Sequence, residues 1–156
     1  MGVDIADSEL YRKHADELTR FATGLVGPQN APDVVSEAVL SCLGSRSWPS
    51  VTQKRSYLYR SVYNKSAEYH RSSRRRRRRE EFAAQPESID PPDVRPEVLA
   101  AVMSLSIQQR AVIVLTYWDD LDPAAIAELL DISDGSVRRH LARGRSRLKE
   151  ALHALD

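Results

Sequence analysis

Apolar residues along this chain recur at three- and four-residue steps almost throughout, and no segment sustains a two-residue alternation. Such spacing puts one face of a helix against a core and leaves no amphipathic strand, so the predicted fold class is all-α. Leu10, His14, Leu18, Phe21, Ala22 and Leu25 form the first stripe, with Asp7 or Ser8 as its cap and Gly27-Pro28 as its stop. Pro32 suits the first turn of a second helix. Its stripe is Val34, Val35, Ala38, Val39, Cys42 and Leu43, and Gly44 ends it. A loop carrying Trp48-Pro49 follows, where Trp48 either lids the core or contacts DNA. A third helix then runs from about Gln53 into a run of arginines.

Residues 85–96 contain Pro86, Pro91, Pro92 and Pro96. Proline lacks the backbone N–H and clashes with the preceding turn, so no regular helix crosses this stretch. It divides the chain into two small helical domains, residues 8–79 and 97–155, joined by a flexible acidic linker over 80–96. A long loop within one domain is the competing reading. A chain of 156 residues has room for one or two small domains and not for a large enzyme. Beyond the linker, Val98, Leu99, Val102, Met103 and Leu105 mark a short helix. Ser106 and Gln109 have capping-box spacing ahead of a strongly apolar helix through Trp118. Asp122-Pro123 opens the next helix, and residues 135–155 form the last.

The net charge of +1 conceals strongly charged blocks. Residues 71–79 carry seven arginines and no acid, whereas 80–97 carry six acids and one arginine. From Asp119 to Asp134 there are six acids and no base, and from Arg138 to Lys149 six bases and no acid. The last contrast falls on a helix-turn-helix pattern. Ala127 is small enough for two helices to cross closely. Ile132 is placed to plug the turn, and Val137 and Leu141 face the first helix. The opposite face reads Ser136, Arg138, Arg139, His140, Arg143 and Arg145, a set that can enter a major groove and bond guanine edges or phosphates. Asp131 stands where many such turns have glycine, and Asp tolerates the left-handed conformation better than most residues.

The third helix mixes rings with cations. Tyr57, Tyr59, Tyr63 and Tyr69 interleave with Arg60, Lys65 and Arg71, and such a surface holds a single strand by stacking bases while cations follow the backbone. Arg60, Asn64 and Glu68 share one face. Asn64 can offer an unstacked base both a donor and an acceptor. At least two of the tyrosines are expected to serve as half-buried packing instead. Arg74, Arg75 and Arg76 begin six consecutive arginines, which would tether phosphates with salt-sensitive affinity. Catalytic chemistry has no footing. The four histidines are scattered, no phosphate loop or nucleophile motif occurs, and the single cysteine, Cys42, allows neither an intrachain disulfide nor a cysteine zinc cluster. No metal, cofactor or enzyme activity is expected. No apolar run approaches the roughly 18–20 residues of a membrane span. Residues 1–10 lack a signal pattern, so a cytoplasmic location is expected.

Residues 104–150 resemble region 4 of bacterial sigma factors, and specifically those of the extracytoplasmic-function subfamily. The stretch from Asp33 to Leu40 is similar to the region 2 helix that docks on the polymerase β′ clamp. The stretch from Tyr57 to Asn64 is similar to the segment that reads and melts the −10 element. Three motifs in this order cover nearly the whole chain. The resemblance implies a −35 contact by Ser136, Arg138, Arg139, His140, Arg143 and Arg145, and a −10 contact by Tyr57, Arg60, Tyr63, Asn64 and Arg71. It implies a polymerase contact by Asp33, Glu37 and Leu40, although Asp33 would also complement the helix dipole. The implied partners are core RNA polymerase (β′ clamp and β flap) and promoter DNA, with an anti-sigma factor as a candidate third. Ser36, Tyr57 and Ser106-Ile107 depart from the subfamily's usual Gln, Trp and Leu-Pro. A stand-alone helix-turn-helix regulator that binds a palindromic duplex is the alternative.

Overall fold

The computed structural model describes residues 5–79 and 95–154. The linker expected over 80–96 lies almost wholly outside them. The described residues form seven α-helices and no strand: α1 (Ile5–Val26), α2 (Ala31–Leu43), α3 (Lys54–Arg79), α4 (Pro96–Met103), α5 (Ile107–Tyr117), α6 (Pro123–Leu130) and α7 (Asp134–His153).

In the first bundle, Leu18, Phe21, Ala22 and Leu25 of α1 meet Val35 and Ala38 of α2 and Leu58 and Val62 of α3, all buried. Burying each large apolar side chain contributes about 1.5–3 kcal/mol, and this core fixes the outward direction of α2 and α3. Gly27 takes φ +86° and returns its N–H to the Thr23 carbonyl at 2.9 Å, which closes α1. Because α1 already starts at Ile5, Asp7 and Ser8 lie inside its first turn and do not cap it. Asp7 Oδ1 instead accepts from Trp48 Nε1 at 3.0 Å. Trp48 itself begins a short 3-10 turn (Trp48–Ser50) and is 4% exposed, so the expected loop is ordered by a buried ring. Phe21 and Tyr59 pack at 5.1 Å between ring centroids. Beside them Arg55 grips Glu17 with two bonds of 3.0 Å.

The second bundle is organised by caps. Ser106 and Gln109 make both bonds of the capping box at the start of α5. Asp122 Oδ1 accepts from the Ala125 N–H at 2.8 Å at the start of α6. Asp131 ends α6 in the left-handed conformation (φ +56°), as its residue type suggested. Ile126, Ala127, Leu129 and Val137 seal the helix-turn-helix junction. Ile132 does not plug it. The left-handed Asp131 sends the Ile132 N–H back to the Ala127 carbonyl at 3.1 Å, and the side chain is left 37% exposed.

The two bundles are in contact. Helix α1 packs on α4 and α5, and α3 packs on α5 and α6. Arg110, buried in α5, donates across the seam to the Leu25 carbonyl at 2.7 Å.

Candidate nucleic-acid and polymerase interfaces

Helix α7 starts on Ser133, whose Oγ accepts from the Ser136 N–H at 3.1 Å and pairs with the Ser136 hydroxyl at 2.9 Å. Val137 and Gly144 face the core, with Leu141 and Leu148 partly buried on the same side. At 3.6 residues per turn, that line points Arg139 and Arg143 away from the bundle. Arg138, Arg145 and Lys149 run along one flank, and Ser136, His140 and Arg147 along the other. The arginines and Lys149 are exposed, while Ser136 and His140 are half-buried. Partial burial, followed by the charges of Arg139 and Arg143, pushes the His140 imidazole below its ordinary pKa. Arg145 is tied back to α5: its Nε donates to the Tyr117 Oη at 2.6 Å, and its guanidinium lies 5.6 Å from the ring centroid. Arg147 and Lys149 belong to the same cationic surface and were not among the predicted site residues. The charge block that runs on to Lys149 was the signal for them.

Helix α3 separates its aromatic residues by burial. Tyr59 is fully buried, and Tyr57, Tyr63 and Tyr69 are half-buried against the core. Burial raises the Tyr63 phenol above its usual pKa, so the ring remains neutral. Arg60, Asn64 and Glu68 line one groove together with Tyr57 and Ser61. On the adjoining side Tyr63, Asn64 and Arg71 face Ser106, Ile107 and Gln108 across a second groove of about 650 Å³. Asn64 is exposed at the lip of both, whereas Arg60 is engaged, its Nη2 3.3 Å from the Glu128 carbonyl of α6. Arg71, Arg75 and Arg76 are exposed along the end of α3, and the Arg74 side chain lies outside the described residues.

Asp33, Glu37 and Leu40 fall on one stripe of α2, and all three are exposed. Leu40 is 67% exposed, an apolar side chain placed among acids on an outward face. The inward face (Val34, Val35, Ala38 and Val39) is fully spent on the core. The structure thus sets the predicted residues on the outward sides of three helices, with Asp33 and Glu37 of α2 sharing one groove with Arg76 of α3. Among the described residues no cluster of three or more metal-ligating side chains occurs, and no helix is long and apolar enough to cross a membrane.

Comparison with known proteins bears on the family and the fold. Residues 95–148, which hold α4 to α6 and most of α7, match the family model described as Sigma-70, region 4. The RNA polymerase sigma-E factor of Streptomyces antibioticus is 30% identical over 155 residues, covering 95% of this chain and 85% of the relative. That of Streptomyces coelicolor is 30% identical over 163 residues, covering 100% and 91%. Among solved structures, the sigma factor RpoE in complex with the anti-sigma factor NepR from Bartonella quintana superposes with a TM-score of 0.71 at 20% identity, over 94% of this chain and 96% of that one. CnrH in complex with the cytosolic domain of CnrY gives 0.66 at 22% identity, over 98% and 91%. Both bundles are included in these alignments, and the region 4 match falls on the helix-turn-helix whose basic face was derived from its own spacing. With that face, the paired bundles and 30% identity to sigma-E factors over nearly the whole chain in agreement, the chain belongs to the bacterial RNA polymerase sigma factors, in their extracytoplasmic-function group.

Proposed function

We propose that this sigma factor binds core RNA polymerase through the outer stripe of α2, reads the −35 element with α7 and captures the −10 strand with α3. The observation that carries this reading is the placement of these residues on the outward sides of three helices, each with the chemistry its target needs. Asp33, Glu37 and Leu40 offer an acidic and apolar stripe to the β′ clamp. Arg138, Arg139 and Arg143 offer forked donors that suit guanine edges in a major groove. Ser136, His140 and Arg145, with Arg147 and Lys149, lie on the flanks where the phosphates run. Tyr57, Tyr63, Arg60, Asn64 and Arg71 offer rings, cations and one amide to unstacked bases. Arg74, Arg75 and Arg76 extend that path along the backbone.

Residues 8–79 serve as the clamp and −10 domain, residues 97–155 as the −35 domain, and 80–96 as the tether between them. An apolar groove of about 600 Å³ between α4 and α7, lined by Val98, Tyr117, Leu148 and Leu152, suits the β flap. The chain supplies binding energy and catalyses no reaction: contacts at −35 position the complex, and capture of the −10 bases holds the DNA open. The bacterial cytoplasm, where core polymerase works, is its place of action. An anti-sigma partner is supported by the neighbour solved with NepR.

A pull-down of purified core polymerase by the full chain tests the docking face. Leu40→Asp, on a side chain that makes no core contact, should cut retained polymerase at least about tenfold, the loss expected for a well-seated apolar anchor. Arg143→Ala should leave retention unchanged. Equal retention by all three proteins would remove α2 as the docking face.

A further inference from the structure

We propose that Glu68 sets the base preference at one position of the melted −10 strand, where it admits a base with an exocyclic amino group and turns thymine away. The inference rests on the reading of α3 as the −10 face and adds a residue to it.

Glu68 is the one acid of α3, a helix otherwise rich in lysine and arginine. On a surface that follows phosphates a carboxylate is a liability, because it repels the strand that the neighbouring cations attract. Its ion pair does not account for it. Lys65 Nζ reaches Glu68 Oε2 only at 3.5 Å, and the Glu68 side chain is 60% exposed. An exposed pair of that length stabilises little.

The surroundings of Glu68 offer another use. Tyr57, Arg60, Ser61, Asn64 and Glu68 line a groove of about 380 Å³ against Cys42 of α2, a space that holds one unstacked base. Two of its polar groups are already engaged. Ser61 Oγ donates to the Ala38 carbonyl at 3.1 Å, and Arg60 Nη2 lies 3.3 Å from the Glu128 carbonyl. Asn64 and Glu68 stand one helical turn apart, both exposed, with bonding capacity to spare. They also line the adjoining groove that contains Tyr63 and Arg71, so a strand crossing from one groove to the other passes over them.

A carboxylate only accepts hydrogen bonds, whereas the Asn64 amide both donates and accepts. Adenine and cytosine each set an amino donor beside a ring-nitrogen acceptor. Glu68 can take the amino group while Asn64 serves the nitrogen. Guanine presents two adjacent donors to the carboxylate. Thymine has one donor between two carbonyls, so a carboxylate that takes it presses its second oxygen against a like partial charge. Selection thus comes from repulsion of the wrong base as well as attraction of the right one. Acceptance from the cytosine amino group is also how glutamate reads base edges in duplex DNA.

The test is capture of a pre-melted promoter library, randomised across the −10 bases of the non-template strand, by holoenzyme assembled from core polymerase and the full chain. Sequencing of captured DNA from the wild type should show thymine depleted at one position at least about fivefold against the other bases. The order of adenine, cytosine and guanine at that position identifies the base admitted. Glu68→Gln, whose amide can donate to a thymine carbonyl, should abolish the depletion there and leave the preferences at other positions intact. Lys65→Met should weaken capture evenly over all sequences and keep the depletion, which separates base reading from the ion pair. A wild type without thymine depletion would overturn the proposal. So would unchanged depletion in Glu68→Gln while Asn64→Ala alters the −10 preferences, a result that leaves the reading of α3 standing. If neither variant changes any preference, the reading of α3 fails and the selection by Glu68 fails with it. Glu68 also lines the groove that holds Asp33 and Glu37. Loss of core polymerase by Glu68→Gln with base preference unchanged would therefore assign it to the docking face instead.

Discussion

Arg143 and His140 show how single residues on α7 take their properties from place and not from type. Arg143 points away from the bundle and has no partner drawn from its own core line, so its guanidinium is available to a base edge. Arg143→Ala should weaken −35 duplex binding by about 1–3 kcal/mol, measured as holoenzyme affinity for duplexes matched and mismatched at that element. His140 sits half-buried beside Arg139 and Arg143, and its folded pKa lies below 6.5. A depressed histidine favours the folded state while neutral, and that contribution is lost as pH falls below 6.5 toward the folded value. DNA phosphates reverse the local field, so binding should raise the His140 pKa and affinity should increase as pH drops through the same window. Titration of the His140 ring by nuclear magnetic resonance, with and without a −35 duplex, reads both effects. Glu17 has the same sign in a lower pH window and for a different reason. Burial alone would raise its carboxyl, but hydrogen bonds from Arg55 and His14, with the charges of both, hold it below its usual value. Its contribution is complete above pH 4.5 and is lost as pH falls through the folded pKa. The difference in melting temperature between wild type and Glu17→Gln should therefore shrink on acidification.

Elements explain what was legible in the sequence. Helix stripes and caps are local signals, and Ser106, Asp122 and Pro32 sit where their chemistry places them. The basic face of α7 was legible because periodicity fixes which side of a helix faces the core. Trp48 was not, because the atom that settles its position, Asp7 Oδ1, is 41 residues away. Ile132 misled for another reason: an apolar residue after α6 suggests a plug, but the left-handed Asp131 turns the chain so that its side chain leaves the junction. That turn carries its own test. Asp131→Gly should raise stability by up to about 1–2 kcal/mol, the cost of the left-handed conformation for a residue with a Cβ, and Asp131→Val should lower it. Chemical denaturation of the three chains measures the order. At the other end of the motif, a Cβ at Gly144 would stand 3.0 Å from Ile113 Cγ1, so α7 lies tightly on α5. Gly144→Leu should overpack this crossing and cost about 1–3 kcal/mol.

At the scale of the whole molecule, the contacts between the bundles were invisible in the sequence. Arg110 and Leu25 are 85 residues apart, and neither stands out: one reads as a surface arginine, the other as a core leucine. The three surfaces, by contrast, were each confined to one helix, and their residues could be named before their geometry was known. What the sequence could not supply is how those surfaces sit on one body, with α2 outward and the side of α3 that carries Tyr63 and Arg71 facing α5. Their joint use on polymerase and promoter is read out by transcription with purified core polymerase and the full chain from a pooled promoter library. New start sites that share one −35 and one −10 sequence are expected, with output lost on Arg143→Ala and promoter melting lost on Asn64→Ala. Failure to bind core, together with tight binding of the free chain to a palindromic duplex, would contradict it.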